Sequence, residues 1–295
     1  MIPCLIIVYR EVLEAGLIIG IVLAATWGIP GRGRWIGAGV AGGLAGAGLV
    51  ALFADGLASW FSGNGQELFN ASVLLLAVFM LAWHNIWMAS HGRALAEEMK
   101  AVGQSVRQGT RPLTALSVVV GVAVLREGAE VVLFLTGIAA GGDAGAGPMV
   151  LGGLIGVALG GLTALLIYRG LLWIPARHLF TVTTGLITLL AAGMGAQAML
   201  FLHQAGLITV GSATLWDSSD LLRDDSLPGR VLHVLIGYSD HPTLAQGTVY
   251  LLVLVTIAGL TGWCGRRESG LPRPGALSPG DPPGLTAAGS QAPLR

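Results

Sequence analysis

The chain has 295 residues, of which 54% are hydrophobic and 11% charged, where a soluble protein carries about 25% charged residues. Sixteen basic and sixteen acidic side chains cancel, and mean hydropathy is +0.75. So few charges cannot cover a soluble globular surface of this size, and the lack of a basic excess excludes a nucleic-acid-binding protein. Forty-six glycines without a collagen period suit closely packed membrane helices. Cys4 and Cys264 stand at opposite ends of the chain with no CxxC, and read as unpaired thiols.

A membrane span needs about 20 mainly apolar residues. Seven segments meet this, at 2–27, 35–57, 68–90, 113–140, 148–169, 178–205 and 247–265. The first is not a cleaved signal peptide, because Arg10 and Glu11 interrupt it and no basic segment precedes it. The predicted connections on one side hold Arg32, Arg34, Arg93, Lys100, Arg107, Arg111, Arg169 and Arg177, and the C-terminal tail adds Arg266, Arg267, Arg273 and Arg295. The other side holds only Arg223 and Arg230, so the basic residues predict an outer N-terminus and an inner C-terminus. The expected architecture is an all-α membrane protein of seven transmembrane helices, with a permease domain over 1–265. Residues 266–295, rich in proline and glycine, read as a disordered cytoplasmic tail.

One pentad occurs twice. Arg10-Glu11-Val12-Leu13-Glu14 lies in the first span and Arg126-Glu127-Gly128-Ala129-Glu130 in the fourth. Three spans separate the copies, so they cross in opposite directions. An inverted repeat follows, with halves at about 1–112 and 113–205 and a substrate site near the midplane. On a helix the two glutamates of a pentad lie about 60° apart and the arginine about 40° from the second, so all three share one face. A charge at the bilayer centre costs about 2.5–3.5 kcal/mol even on insertion scales. The faces are therefore expected to meet in the bundle interior, supplying carboxylates Glu11, Glu14, Glu127 and Glu130 and the organising guanidinium groups of Arg10 and Arg126. Convergent carboxylate oxygens suit a hard multivalent cation. Two i,i+4 ion pairs that only fix helix packing are the plainer reading, and it leaves the second glutamate of each pentad unexplained.

With both motifs in place, the sequence resembles the high-affinity iron permease family, the oxidase-dependent iron transporters of fungi and bacteria. That family has seven spans and an R-E-x-x-E motif in spans 1 and 4, and Val12 departs from its frequent R-E-G-L-E form. The segments 215–250 and 83–91 are similar to the bacterial branch, and the resemblance covers about residues 1–265. It implies a permease rather than an enzyme, in the bacterial inner membrane, among lipid. Iron, as Fe3+ or Fe2+, would be its substrate rather than a tight cofactor. Oxidase or iron-delivery proteins on the outer side would be its partners. Transport of another cation, lead or manganese, is the alternative, and a haem-binding redox protein using His84, His91 or His203 is a more distant one.

Further polar residues are candidates for the path. His84 and His91 lie seven apart in the third span, and Gln197 lies in the sixth; ordinary bonds between helices would also account for them. The longest outer segment, 206–246, has net charge −3 and includes Asp217, Asp220, Asp224 and Asp225. An acidic mouth concentrates cations; a solvated polar loop with a short helix started by Ser226 or Pro228 is the alternative. Trp83 and Trp87 are expected to face lipid or the interfacial belt. The chain carries no Walker A sequence and no Glu-x-x-His of di-iron bundles.

Overall fold

The computed structural model describes residues 1–60, 66–141, 145–171, 176–220, 222, 223, 226, 229, 232 and 236–269. Asp143, Asp224, Asp225, Pro228, His233 and the tail from residue 270 lie outside the described residues. Among those described, seven long α-helices account for nearly all regular structure. They are α1 (Ile2–Ala25), α2 (Arg32–Trp60), α3 (Gln66–Arg107), α4 (Thr114–Ala140), α5 (Ala146–Tyr168), α6 (Ala176–Gln204) and α7 (Leu244–Ser269). One isolated bridge, Thr214 to Thr243, ties the long loop to the start of α7.

Five helices, α2, α3, α5, α6 and α7, contain an apolar stretch long enough to cross a membrane with at most two charges in 18 residues. The other two, α1 and α4, are as long and apolar but carry all three charges of a pentad. Exposed leucines, valines and phenylalanines cover the outward faces of α2, α5 and α7, as lipid contact requires.

Sequence and structure differ most in α3. The apolar signal ends near residue 90, but the helix runs on to Arg107 through Arg93, Glu97, Glu98 and Lys100. Its 42 residues measure about 63 Å, twice the thickness of a hydrocarbon core. The polar extension keeps apolar residues at helical spacing, and Met99, Val102 and Val106 are buried on that stripe. The stretch predicted as a connecting loop is therefore mostly helix. Gly109, at φ +75°, adopts the left-handed conformation that ends it.

Small residues set the closest helix pairs. In α5, Gly152, Gly156, Gly160 and Ala164 recur every fourth residue and are buried against α1. A Cβ at Gly160 would lie 2.7 Å from the Tyr9 carbonyl oxygen. In α2, Gly39 and Gly43 press on α4 in the same way, with Gly39 against the Ser117 carbonyl. Backbones approach this closely only where one partner lacks a side chain. The remaining main pairs are α3 with α6, α6 with α7, and α1 and α3 with α4.

Two buried apolar clusters stack along the bundle. One joins Cys4, Ile7, Leu74, Leu81, Phe134, Ile187 and Ile257; the other joins Ile18, Val22, Met99, Leu116, Val120 and Val124. Helix α1 passes from the first cluster to the second, and α4 from the second to the first. Each crosses the gap between the clusters at its pentad.

Candidate metal centre

In that gap the pentads meet around one side chain of α3. One ligand atom each from Glu11, His84, Glu127 and Glu130 lies within 4.8 Å of all the others. Glu11, His84 and Glu127 are buried and Glu130 is nearly so. Both carboxylate oxygens of Glu11 and one each of Glu14, Glu127 and Glu130 are buried with no hydrogen-bond partner. Unmet acceptors gathered this closely repel each other and destabilise the fold unless a cation or protons join them.

Helix periodicity explains the convergence. Residues 10, 11 and 14 lie on one face of α1, 126, 127 and 130 on one face of α4, and α3 passes between with His84 and Asn85. Arg10 is only 1% exposed. Its Nε donates to Glu14 Oε1 at 2.7 Å and its Nη1 to Asn85 Oδ1 at 2.7 Å. The other Glu14 oxygen faces His84 Nε2 at 3.3 Å, and His84 Nδ1 faces Glu130 Oε2. Both His84 contacts are close approaches of a ring nitrogen to a carboxylate oxygen rather than aligned hydrogen bonds. Glu14 thus meets one ring nitrogen of His84 and Glu130 the other, and Glu11 and Glu127 complete the compact group with His84 and Glu130.

The Arg126 side chain is 33% exposed and looser. Its Nε lies 3.2 Å from Glu130 Oε1 and 3.9 Å from Glu127 Oε1, and its guanidinium stacks 4.3 Å from the Trp87 ring centroid. Trp87 continues the stack onto His91, with centroids 5.1 Å apart. Trp83 is exposed, as expected of a lipid-facing residue, but Trp87 is turned inward against Arg126.

Two cavities flank the layer. One of about 490 Å³ between α1, α3, α6 and α7 starts at Arg10, Glu14 and Asn85 and extends past Met88 to Arg93. The buried hydroxyl of Thr261, also on its wall, has no partner. A second, of about 620 Å³ and apolar, has Glu11 and Glu127 on its wall.

The other candidate residues lie apart from this cluster. Gln197 is half-buried, donates to the Gly141 carbonyl at 3.4 Å, and lines a separate cavity of about 710 Å³ with Trp216 and Tyr238. His91 is exposed beside Ser90. Asp217 and Asp220 are exposed in the loop. Hydrogen bonds from Ser219, through its side chain and its backbone, hold the Asp217 carboxyl below its usual range, with His241 3.1 Å away adding to the effect. His241 in turn is raised, chiefly by its bond to Asp240 at 2.8 Å. Sequence reasoning placed His84 on a path and overlooked its contact with both pentads. Its seven-residue spacing to His91 pointed along α3, whereas the contact depends on how α3 is rotated between α1 and α4.

Residues 1–262 match the Iron permease FTR1 family. The chain belongs to that family. It is similar to proteins named ferrous iron permease EfeU: 33% identical to those of Escherichia coli O157:H7 and Shigella sonnei over 254 residues, spanning 85% of this chain and 91% of theirs. The protein of that name from Yersinia pestis is 31% identical over 254 residues, covering 85% of this chain and 89% of its own length. No solved structure matches. Membership and the long apolar helices make this permease a multi-pass membrane protein.

Proposed function

We propose that this permease imports iron across the bacterial inner membrane through a midplane site formed by the two R-E-x-x-E pentads. The meeting of Glu11, Glu127 and Glu130 with His84 within 4.8 Å is the observation that carries the proposal. Glu14 and the two arginines complete the charged layer. Four carboxylates and two guanidinium groups sum to −2 with a neutral imidazole, which one divalent ion cancels. In a low-dielectric interior that balance favours Fe2+ over Fe3+, and the relatives carry the name ferrous iron permease.

The layer lies at mid-depth in seven spans with an outer N-terminus and an inner C-terminus. The opposed passage of α1 and α4 between the two clusters supports an inverted repeat, as does the exchange of partners, α1 with α5 and α4 with α2. The cavity from Glu14 to Arg93 is the inward exit, because Arg93 belongs to the basic, inner side. Outer proteins that deliver or oxidise iron fit the acidic loop as donors.

Uptake into proteoliposomes, with Fe2+, Fe3+ and Mn2+ compared, tests this. Fe2+ should enter wild-type vesicles and not those carrying Glu127→Gln. Equal uptake by both would end the proposal.

A further inference from the structure

We propose that His84 ligates the transported ion through Nδ1, that Glu14 orients this imidazole instead of ligating, and that the nitrogen selects transition-metal ions over Mg2+ and Ca2+. This rests on the metal centre proposed above and assigns its members different tasks.

The geometry separates the carboxylates. Glu11, Glu127 and Glu130 form the compact group with His84, and Glu14 is outside it. Glu14 Oε1 is held by Arg10 at 2.7 Å, and its other oxygen faces His84 Nε2 at 3.3 Å. Arg10 is itself fixed by Asn85, the neighbour of His84 on α3. A closed chain results: Asn85 holds Arg10, Arg10 holds Glu14, and Glu14 sets the ring of His84. A carboxylate on one ring nitrogen fixes the tautomer and points the other nitrogen at the metal, as around many protein-bound ions. Here that other nitrogen, Nδ1, faces Glu130, and a ring nitrogen of His84 lies within 4.8 Å of carboxylate oxygens of Glu11 and Glu127.

Three carboxylates alone would bind hard cations, and Mg2+ and Ca2+ far outnumber iron in most surroundings. Imidazole suits Fe2+ and Zn2+, binds Mn2+ more weakly, and is a poor ligand for Mg2+ and Ca2+. One nitrogen in an oxygen site therefore discriminates by ligand chemistry between ions of equal charge.

Purified full-length protein loaded with one equivalent of Mn2+ and studied by pulsed electron paramagnetic resonance tests the inference. Wild-type protein should show nitrogen coupling of an imidazole ligand, and His84→Gln should lose it. Glu14→Gln should retain the coupling but bind Mn2+ about 10- to 100-fold more weakly, the usual cost of losing an orienting partner. In His84→Glu, Mg2+ should compete with Mn2+ at least about tenfold better than in wild type, because every ligand is then oxygen.

Saturable binding that Glu127→Gln abolishes, without nitrogen coupling in wild type, would overturn the role of His84 and leave the carboxylate site standing. Coupling that persists in His84→Gln would place the nitrogen on another of the six histidines and overturn it equally. Loss of the coupling in Glu14→Gln at full Mn2+ occupancy would make Glu14 more than an orienting group and refute the division of tasks. Absence of any saturable binding by wild type would instead defeat the metal centre itself. Absence of nitrogen coupling from the wild-type spectrum overturns the role of His84 even where a variant fails to fold, and His84→Asn replaces His84→Gln if that variant does not fold.

Discussion

The two pentads are near copies in sequence and unlike in surroundings. In α1, Arg10 is buried and makes two 2.7 Å bonds, to Glu14 and Asn85. In α4, Arg126 is a third exposed, 3.2 Å from Glu130, and lies over the face of Trp87. The difference comes from α3, which presents Asn85 to one pentad and Trp87 to the other, while His84 touches both. A repeated motif thus yields a fixed half and a looser half, because α3 gives each arginine a different neighbour. The fixed half suits orientation, and the looser half suits movement as an ion arrives and leaves.

The largest effect should come from Glu11→Ala, Glu127→Ala and Glu130→Ala, each of which removes an oxygen from the central group. Uptake should fall to background in all three while membrane insertion is kept, as measured in proteoliposomes. Wild-type uptake by Glu130→Ala would show that the α4 half contributes no ligand and would make the two pentads more unequal still.

Next in size is the arginine comparison. Arg10→Met should cost about 3–5 kcal/mol of stability, because it leaves Glu14 buried without its partner. Arg126→Met should cost clearly less, since its site is partly solvated. Thermal unfolding in detergent measures both. Equal losses would erase the distinction between fixed and loose halves. In transport, Arg10→Lys should be the more damaging of the two lysine variants, because an ammonium cannot reproduce the forked donation to Glu14 and Asn85.

Trp87→Leu should have a smaller effect. It removes the ring beneath Arg126, a contact worth about 0.5–2 kcal/mol. Uptake should change more than stability if Arg126 moves during transport. An identical unfolding temperature and identical uptake would mean that the stacking is incidental.

The smallest effects belong to the outer loop. His241 is raised above its ordinary value by Asp240 and Asp217, so its contribution is complete below about pH 6.5 and fades as pH rises through the raised value. Asp217 is lowered, so its contribution is present above about pH 4 and fades as pH falls through the lowered value. The Asp217–His241 link is therefore strongest between about pH 4 and 6.5. Asp217→Asn together with Asp220→Asn should raise the KM for uptake at low ionic strength and leave the maximal rate unchanged, since screening acts within about 8–10 Å. A change in maximal rate would move these residues from steering to the path itself.

Much of the architecture was legible without a structure. The seven apolar runs, their edges within a few residues except at the end of α3, and the shared face of each pentad follow from hydropathy and a 3.6-residue period. The continuation of α3 to Arg107 was not legible, because its polar residues read as a loop until Met99, Val102 and Val106 are seen packed on one stripe. Trp87 was read as facing lipid or the interfacial belt, since a tryptophan near a span's end is usually interfacial, and nothing in the order of residues shows that Arg126 lies above it.

By itself, the sequence determined that six ionisable groups in α1 and α4 had to leave lipid, because the cost of exposing charge to hydrocarbon is independent of the fold. It also determined that closely packed helices would be needed, through glycines at four-residue spacing in α5. Only the tertiary structure decided which residues of α3 enter the charged layer and which pentad each one serves. Helix rotation and register are set by the sum of many small packing contacts, and no single residue encodes them. That is why Glu11 and Glu14, alike on paper, differ in place: Glu11 joins the compact group with His84, and Glu14 does not.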